Sequence, residues 1–126
     1  MAFDIRMDGE YLAIRLHGTL TNKDLTAAGD AVEKIEAAAP VTPSRITDMA
    51  SLDGLEIGFA EVLALADRRR LTSISGPIKS AIVVGNPVQY GMARMFQTLN
   101  DHPLITLEIF HDRAAAIDWL LVKLES

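Results

Sequence analysis

Ile78-Lys79-Ser80-Ala81-Ile82-Val83-Val84, closed by Gly85-Asn86-Pro87, is the stretch from which the fold can be read. A short, mostly apolar run bounded by turn residues is typical of a strand covered on both faces, and such strands pair in parallel beneath crossover helices. Asn86 reads as an N-cap and Pro87 as the first helical residue, where a missing N–H costs least. A helix from Pro87 to about Leu99 follows, and after the turn Asn100-Asp101-His102-Pro103 another strand spans Leu104 to Phe110. Strand, helix, strand in this order is the repeating unit of a parallel sheet.

Working outward toward the N-terminus, Ser44 to Met49 reads as a strand after the Pro40 to Pro43 punctuation, delivering Asp48 to its carboxyl end ahead of the loop Ala50-Ser51-Leu52. Asp53 with Glu56 reads as a capping pair, so a second helix is expected from there to about Arg70, with Leu55, Phe59, Val62, Leu63 and Ala66 on one face. Ile57, Ala60, Ala64 and Leu65 widen that stripe, which implies burial on two sides or an exposed apolar contact surface. Thr21 and Asp24 resemble a capping box with Asp in the place of Glu, and open a first helix ended by Ala37-Ala38-Ala39-Pro40. Its inward side is Leu25, Ala28, Val32 and Ile35; Lys23, Asp30, Glu33, Lys34 and Glu36 form its wet side. Before it, Phe3 to Met7 alternates at period two, Asp8-Gly9 supplies a hairpin turn, and Tyr11 to Leu16 resumes the pattern until Gly18-Thr19-Leu20-Thr21 breaks it. Asp112 caps a last helix ending near Leu124, with Ala114, Ile117, Leu121 and Leu124 inward. The expectation is a single α/β domain over residues 1–126: a mixed five-stranded sheet with flanking helices, in the order β-β-α-β-α-β-α-β-α, with the hairpin at one side.

A chain of 126 residues buries roughly two thirds of its unfolded surface and needs no metal or disulfide to fold. Without cysteine there is no disulfide framework, thiolate zinc site or cysteine nucleophile. A net charge of −5 opposes a phosphate backbone, so nucleic acid is not an expected partner. Residues Met1 to Arg6 lack the flanks of a secretion signal, and no run approaches the ~20 apolar residues of a membrane span. A cytoplasmic location is the default expectation. His17, His102 and His111 sit at the ends of elements with no i, i+4 pairing, so neither a metal site nor a cofactor is expected. His111 beside Asp112 suggests acid–base chemistry at the carboxyl edge of the sheet, but no nucleophile or oxyanion motif accompanies it, and helix capping explains Asp112 more simply. No catalytic residue is expected, and the chain reads as a non-enzyme.

Arg68-Arg69-Arg70 complements the negative end of the second helix, with an anionic headgroup site as the alternative. On the third helix, Val88, Met92, Met95, Phe96 and Leu99 make a core face; two methionines beside a phenylalanine also make an adaptable lining. If the second and third helices are neighbours, Phe59, Leu63, Met92 and Phe96 border a cleft for a lipid-like or aromatic molecule. Gly91 allows close backbone or ligand approach, plain close packing being the simpler account.

The segment Asp48-Met49-Ala50-Ser51-Leu52-Asp53-Gly54-Leu55-Glu56-Ile57-Gly58, the strand Ala81 to Gly85, the closing Phe110-His111-Asp112 through Ala116-Ile117-Asp118-Trp119-Leu120, and Gly18-Thr19-Leu20-Thr21 ahead of the first helix together resemble the STAS fold of anti-sigma-factor antagonists. The closer resemblance is to the SpoIIAA-like family of small bacterial proteins. It implies a non-enzymatic protein, acting as a regulatory interaction module or as a carrier of apolar molecules. The antagonists are switched by phosphorylation of a serine in an Asp-Ser-Ser-Gly-like motif at the start of the second helix; here the residues are Leu52-Asp53-Gly54-Leu55. Ser51 is the remaining candidate acceptor, close to the expected helix N-terminus but repelled by Asp48, Asp53 and Glu56. The leading expectation is a regulatory or protein-interaction module working through the surface around helices two and three, with an apolar surplus compatible with a homodimer. The alternative is a carrier of a small hydrophobic molecule in the cleft between those helices.

Overall fold

The computed structural model describes residues 2–122. In chain order the elements are β1 (Phe3–Asp8), β2 (Tyr11–Thr21), α1 (Asn22–Ala38), β3 (Ser44–Glu56), α2 (Phe59–Arg70), β4 (Ile78–Val83), α3 (Pro87–Leu99), β5 (Ile105–Phe110) and α4 (Arg113–Leu121). The five strands lie side by side in sequence order. β1 is antiparallel to β2 across a two-residue turn, where Gly9 takes a φ of +66° that favours glycine; every other pair is parallel. The mixed sheet and its helix order are those expected from the alternation of apolar runs.

Double coverage explains the composition of the strands. Leu12, Ile14, Leu16, Ile82, Val84 and Leu107 pack beneath α1, α2 and α3 on one face. The opposite face holds a smaller core in which Ala13, Ile46, Ala81 and Val83 meet Ala116 and Leu120 of α4. β4 lies between β3 and β5 and is buried at every position. Its Lys79 lies over the Trp119 ring at 5.0 Å and donates from Nζ to the Trp119 and Val122 carbonyls at 2.7 and 2.8 Å, satisfying carbonyls at the end of α4.

Helices with side-chain caps begin where the sequence says. Thr21 Oγ1 accepts from the Asp24 N–H at 3.3 Å, while Asp24 Oδ2 accepts from the Thr21 N–H at 3.2 Å, closing the capping box. Asn86 Oδ1 accepts from the Gln89 N–H at 2.9 Å, and Pro87 occupies the first turn. Asp112 Oδ1 accepts from the Ala114 N–H at 3.1 Å.

Between β2 and α2 the fold departs from the expectation. β2 does not break at Gly18 but continues to Thr21, pairing Thr19, Leu20 and Thr21 with Gly54, Leu55 and Glu56 of a lengthened β3. The register shifts between Arg15 and His17 and between Gly18 and Thr19, and Gly18, at a φ of +68°, absorbs one irregularity. Asp53 and Glu56 therefore belong to a strand and cap nothing. α2 starts at Phe59, where the Gly58 N–H donates to Glu61 Oε1 at 3.0 Å. Its inward residues are Val62, Ala66 and Arg69, so Phe59 and Leu63 face away from the core.

Smaller rotations occur elsewhere. On α3 the inward positions are Gln89 and Ala93, and Val88 is exposed; Gln89 turns in because its Oε1 accepts from the Gly85 N–H at 2.7 Å. On α4 the buried residues are Ala116 and Leu120, with Ala114 and Leu121 exposed, a rotation fixed by Trp119 against Phe110 with ring centroids 5.5 Å apart. Leu124 lies outside the described residues. Gly91 is exposed, and no other element of the described chain lies within 4 Å of where its Cβ would stand, so close packing does not account for it.

Candidate functional site: a cavity between helices and sheet

The first face of the sheet and the three helices above it do not close completely. A cavity of about 150 Å³ remains between them. Its floor is Ile14 and Leu16 of β2, Thr47 and Met49 of β3, Ile82 of β4 and Leu107 of β5. The helices contribute Ala28 and Val32 from α1, Val62 and Leu65 from α2, and Met92, Ala93 and Phe96 from α3, with Ile57 from the loop before α2. Apart from Thr47 these side chains are apolar because each belongs to the core-facing stripe of its element, and parallel strands with interior helices supply them from both sides. An engineered void of similar size lined by aliphatic and aromatic groups stays dry and admits benzene or xenon.

One end of the cavity is ionic. Arg45 of β3 and Arg69 of α2 both stand in its wall, and both guanidiniums bind Glu36 of α1. Arg45 Nη1 donates to Glu36 Oε2 at 2.9 Å. Arg69 spans the same carboxylate, Nη1 to Oε1 and Nη2 to Oε2, each at 2.9 Å. All three side chains are more than 90% buried. Arg45 also donates from Nε to Ser80 Oγ at 3.4 Å, whereas Arg69 Nε is buried with no hydrogen-bond partner among the described residues. Burial first, and the charge of Arg69 second, push the Arg45 guanidinium down to about 10, against which Glu36 pulls only partly. Sequence reasoning put Glu36 on the wet side of the first helix, and the structure buries it.

Of the four residues expected to border a cleft, Met92 and Phe96 line this cavity. Phe59 and Leu63 do not; they are 49% and 38% exposed on the outer side of α2. The reason is the later start of α2: its buried face runs through Val62, Ala66 and Arg69, with Leu65 beside it in the cavity wall. The arginine run is consumed by ion pairs: Arg68 binds Asp30 and Glu33 of α1, Arg69 binds Glu36, and Arg70 pairs with Asp67 at 3.1 Å. The Arg68 hydrogen bond holds the Glu33 carboxyl below its ordinary value. Ser51 lies within β3, ahead of α2 rather than at its N-terminus, and its hydroxyl accepts from Arg15 Nη2 at 3.2 Å. A phosphate on Ser51 is thus deprived of the helix terminus on which the expectation rested.

The histidines are dispersed. His17 Nε2 lies 3.3 Å from Asp4, and His111 stacks on Tyr90 with centroids 5.6 Å apart. His102 accepts from the Leu104 N–H at Nδ1, which leaves Nε2–H to donate to the Thr72 carbonyl at 2.9 Å. Among the described residues no group of three or more His, Asp or Glu is arranged to hold a metal ion. No helix there is long and apolar enough to cross a membrane.

A straight five-stranded mixed sheet, three helices on one face and one on the other, with an apolar interior site, defines an α/β protein of the SpoIIAA-like fold. An uncharacterised protein from the DUF3478 family with that fold, from Shewanella loihica PV-4, is similar over 94% of this chain and 92% of its own, with a TM-score of 0.63 and 24% identity. Likeness at that identity carries the fold alone. No family model and no curated protein matches the chain.

Proposed function

We propose that this protein is a non-catalytic binding protein for a small, largely apolar molecule held between the helical layer and the sheet. The observation that supports the reading is the cavity of about 150 Å³, walled by aliphatic residues, Met92 and Phe96. Such a volume left empty forfeits dispersion contacts along its whole lining, which an apolar occupant restores. Flexible methionine side chains on α3 suit occupants of differing shape. Titration with a neutral aromatic probe such as toluene, followed by methyl and amide NMR, tests it. Shifts are expected to concentrate at Ile14, Ile82, Met92 and Phe96. Saturating probe without any shift, together with purified protein that carries no apolar species in native mass spectrometry, overturns the reading.

A second reading, a protein-interaction module, draws on a separate observation: Phe59 and Leu63 of α2 and Val88 of α3 expose large apolar side chains. Concentration-dependent sedimentation that disappears in Phe59→Ser/Leu63→Ser is its expected signature; a strictly monomeric wild type counts against self-association.

A further inference from the structure

Two guanidiniums and one carboxylate meet at the ionic end of the cavity, so the buried cluster of Arg45, Arg69 and Glu36 carries one positive charge more than negative. Buried charge is normally balanced, and buried N–H groups are normally satisfied. Neither condition is met within the buried trio: its extra cation is balanced only from outside, by the partly exposed Glu33 beside Arg68, and Arg69 Nε has no partner among the described residues although Arg69 is 6% exposed. The lowered Arg45 value has the same origin, since burial and the neighbouring guanidinium outweigh the pull of Glu36. Both arginines stand in the wall of the apolar cavity. A molecule seated there with a single negative charge at one end brings the cluster to neutrality and gives an unsatisfied donor an acceptor.

We propose that the cavity takes a small organic carboxylate, its apolar body against Ile14, Ile82, Met92 and Phe96 and its carboxylate on Arg69 and Arg45. This rests on the reading of the cavity as a binding site for an apolar molecule and adds the charge that selects among such molecules. A carboxylate matches the planar guanidinium fork and carries the one charge required; a phosphate monoester, near −2 at neutral pH, overshoots the balance. The cavity volume sets the body at about the size of a benzene ring.

Benzoate and the neutral benzyl alcohol, which carries the same ring, titrated separately into the full chain at neutral pH and followed by NMR, test the proposal. Benzoate is expected to bind at least about ten-fold more tightly, as befits a charge-assisted pair in a desolvated site. In Arg69→Met, where Glu36 and Arg45 remain a balanced pair, the preference for benzoate over benzyl alcohol is expected to vanish. Ala93→Leu, which fills the cavity without touching the arginines, is expected to abolish binding of both. Equal affinity for the two ligands in the wild type overturns the carboxylate assignment and leaves the apolar site standing. Failure of both ligands to bind overturns the apolar site as well. Benzoate binding that persists in Ala93→Leu moves the anion to surface arginines and also sinks the proposal. If Arg69→Met does not fold, the wild-type comparison and Ala93→Leu still decide it.

Discussion

Glu36 holds the interior charges in register, because its two oxygens are the shared acceptors of both buried arginines. Replacing it by Gln leaves two buried guanidiniums facing a neutral amide, a loss of about 3–5 kcal/mol by the usual cost of stripping one partner from a buried pair. Arg69→Met keeps the Arg45–Glu36 pair balanced, so it is expected to cost clearly less. Urea unfolding of the two variants gives the order, and a more damaging Arg69→Met contradicts the charge-balance account. Glu33 offers a milder titration. Its carboxyl is held low by Arg68, so the folded value lies below the unfolded one, and the clamp contributes fully above about pH 4.5 and drains away as pH falls through the folded value. At neutral pH Glu33→Gln is expected to be less stable than the wild type by about 0.2–1 kcal/mol, discounted for partial exposure, with the gap closing in acid and in high salt. The buried role of Glu36 had a signal in the sequence: it follows Ala28 and Val32 at successive steps of four, which puts it on the core stripe. An Arg45 in a doubly covered strand needs a carboxylate to meet it. Assigning every charged residue of α1 to solvent overlooked both.

At the level of elements, legibility follows the hydrogen bonds that side chains make locally. α1, α3 and α4 start where Thr21, Asn86 and Asp112 cap them, and those caps are short-range chemistry visible in sequence. α2 starts on Gly58 with only Glu61 reaching back, while Asp53 and Glu56 mimic a cap inside a strand. What turns that segment into β3 is its long-range pairing with Thr19, Leu20 and Thr21, which no local pattern records. The same error placed Phe59 and Leu63 at the site, since shifting a helix start changes which face its periodicity is assumed to bury. Gly91 in α3 carries a separable test. It is exposed and its Cβ position is open, so Gly91→Ala removes only the backbone entropy of glycine in a helix and is expected to raise stability by about 0.5–1 kcal/mol in thermal or urea unfolding. Destabilisation there points to a contact on α3 made by something other than this chain.

For the molecule as a whole, strand order and parallel pairing were legible because doubly covered strands separated by helices have few topologies open to them. The cavity was not. Apolar stripes name the residues that face one another, but the gap between two layers depends on how far apart the helices ride over the sheet, a distance that the pattern of one chain does not encode. Ala93 is the position at which that gap can be probed, being buried on α3 and in the cavity wall. If the layers stand apart as described, Leu at 93 extends into free volume, keeps good helix propensity, and is expected to raise stability by about 0.5–2 kcal/mol, as cavity filling commonly does. Were the interior closed, the same added side chain overpacks a full core and lowers stability by about 1–3 kcal/mol. The sign of the change in the urea midpoint therefore separates an interior able to hold a guest from one already filled by its own side chains. Coupling that measurement to loss of toluene binding in the same variant ties the stability gain to the space the guest occupies.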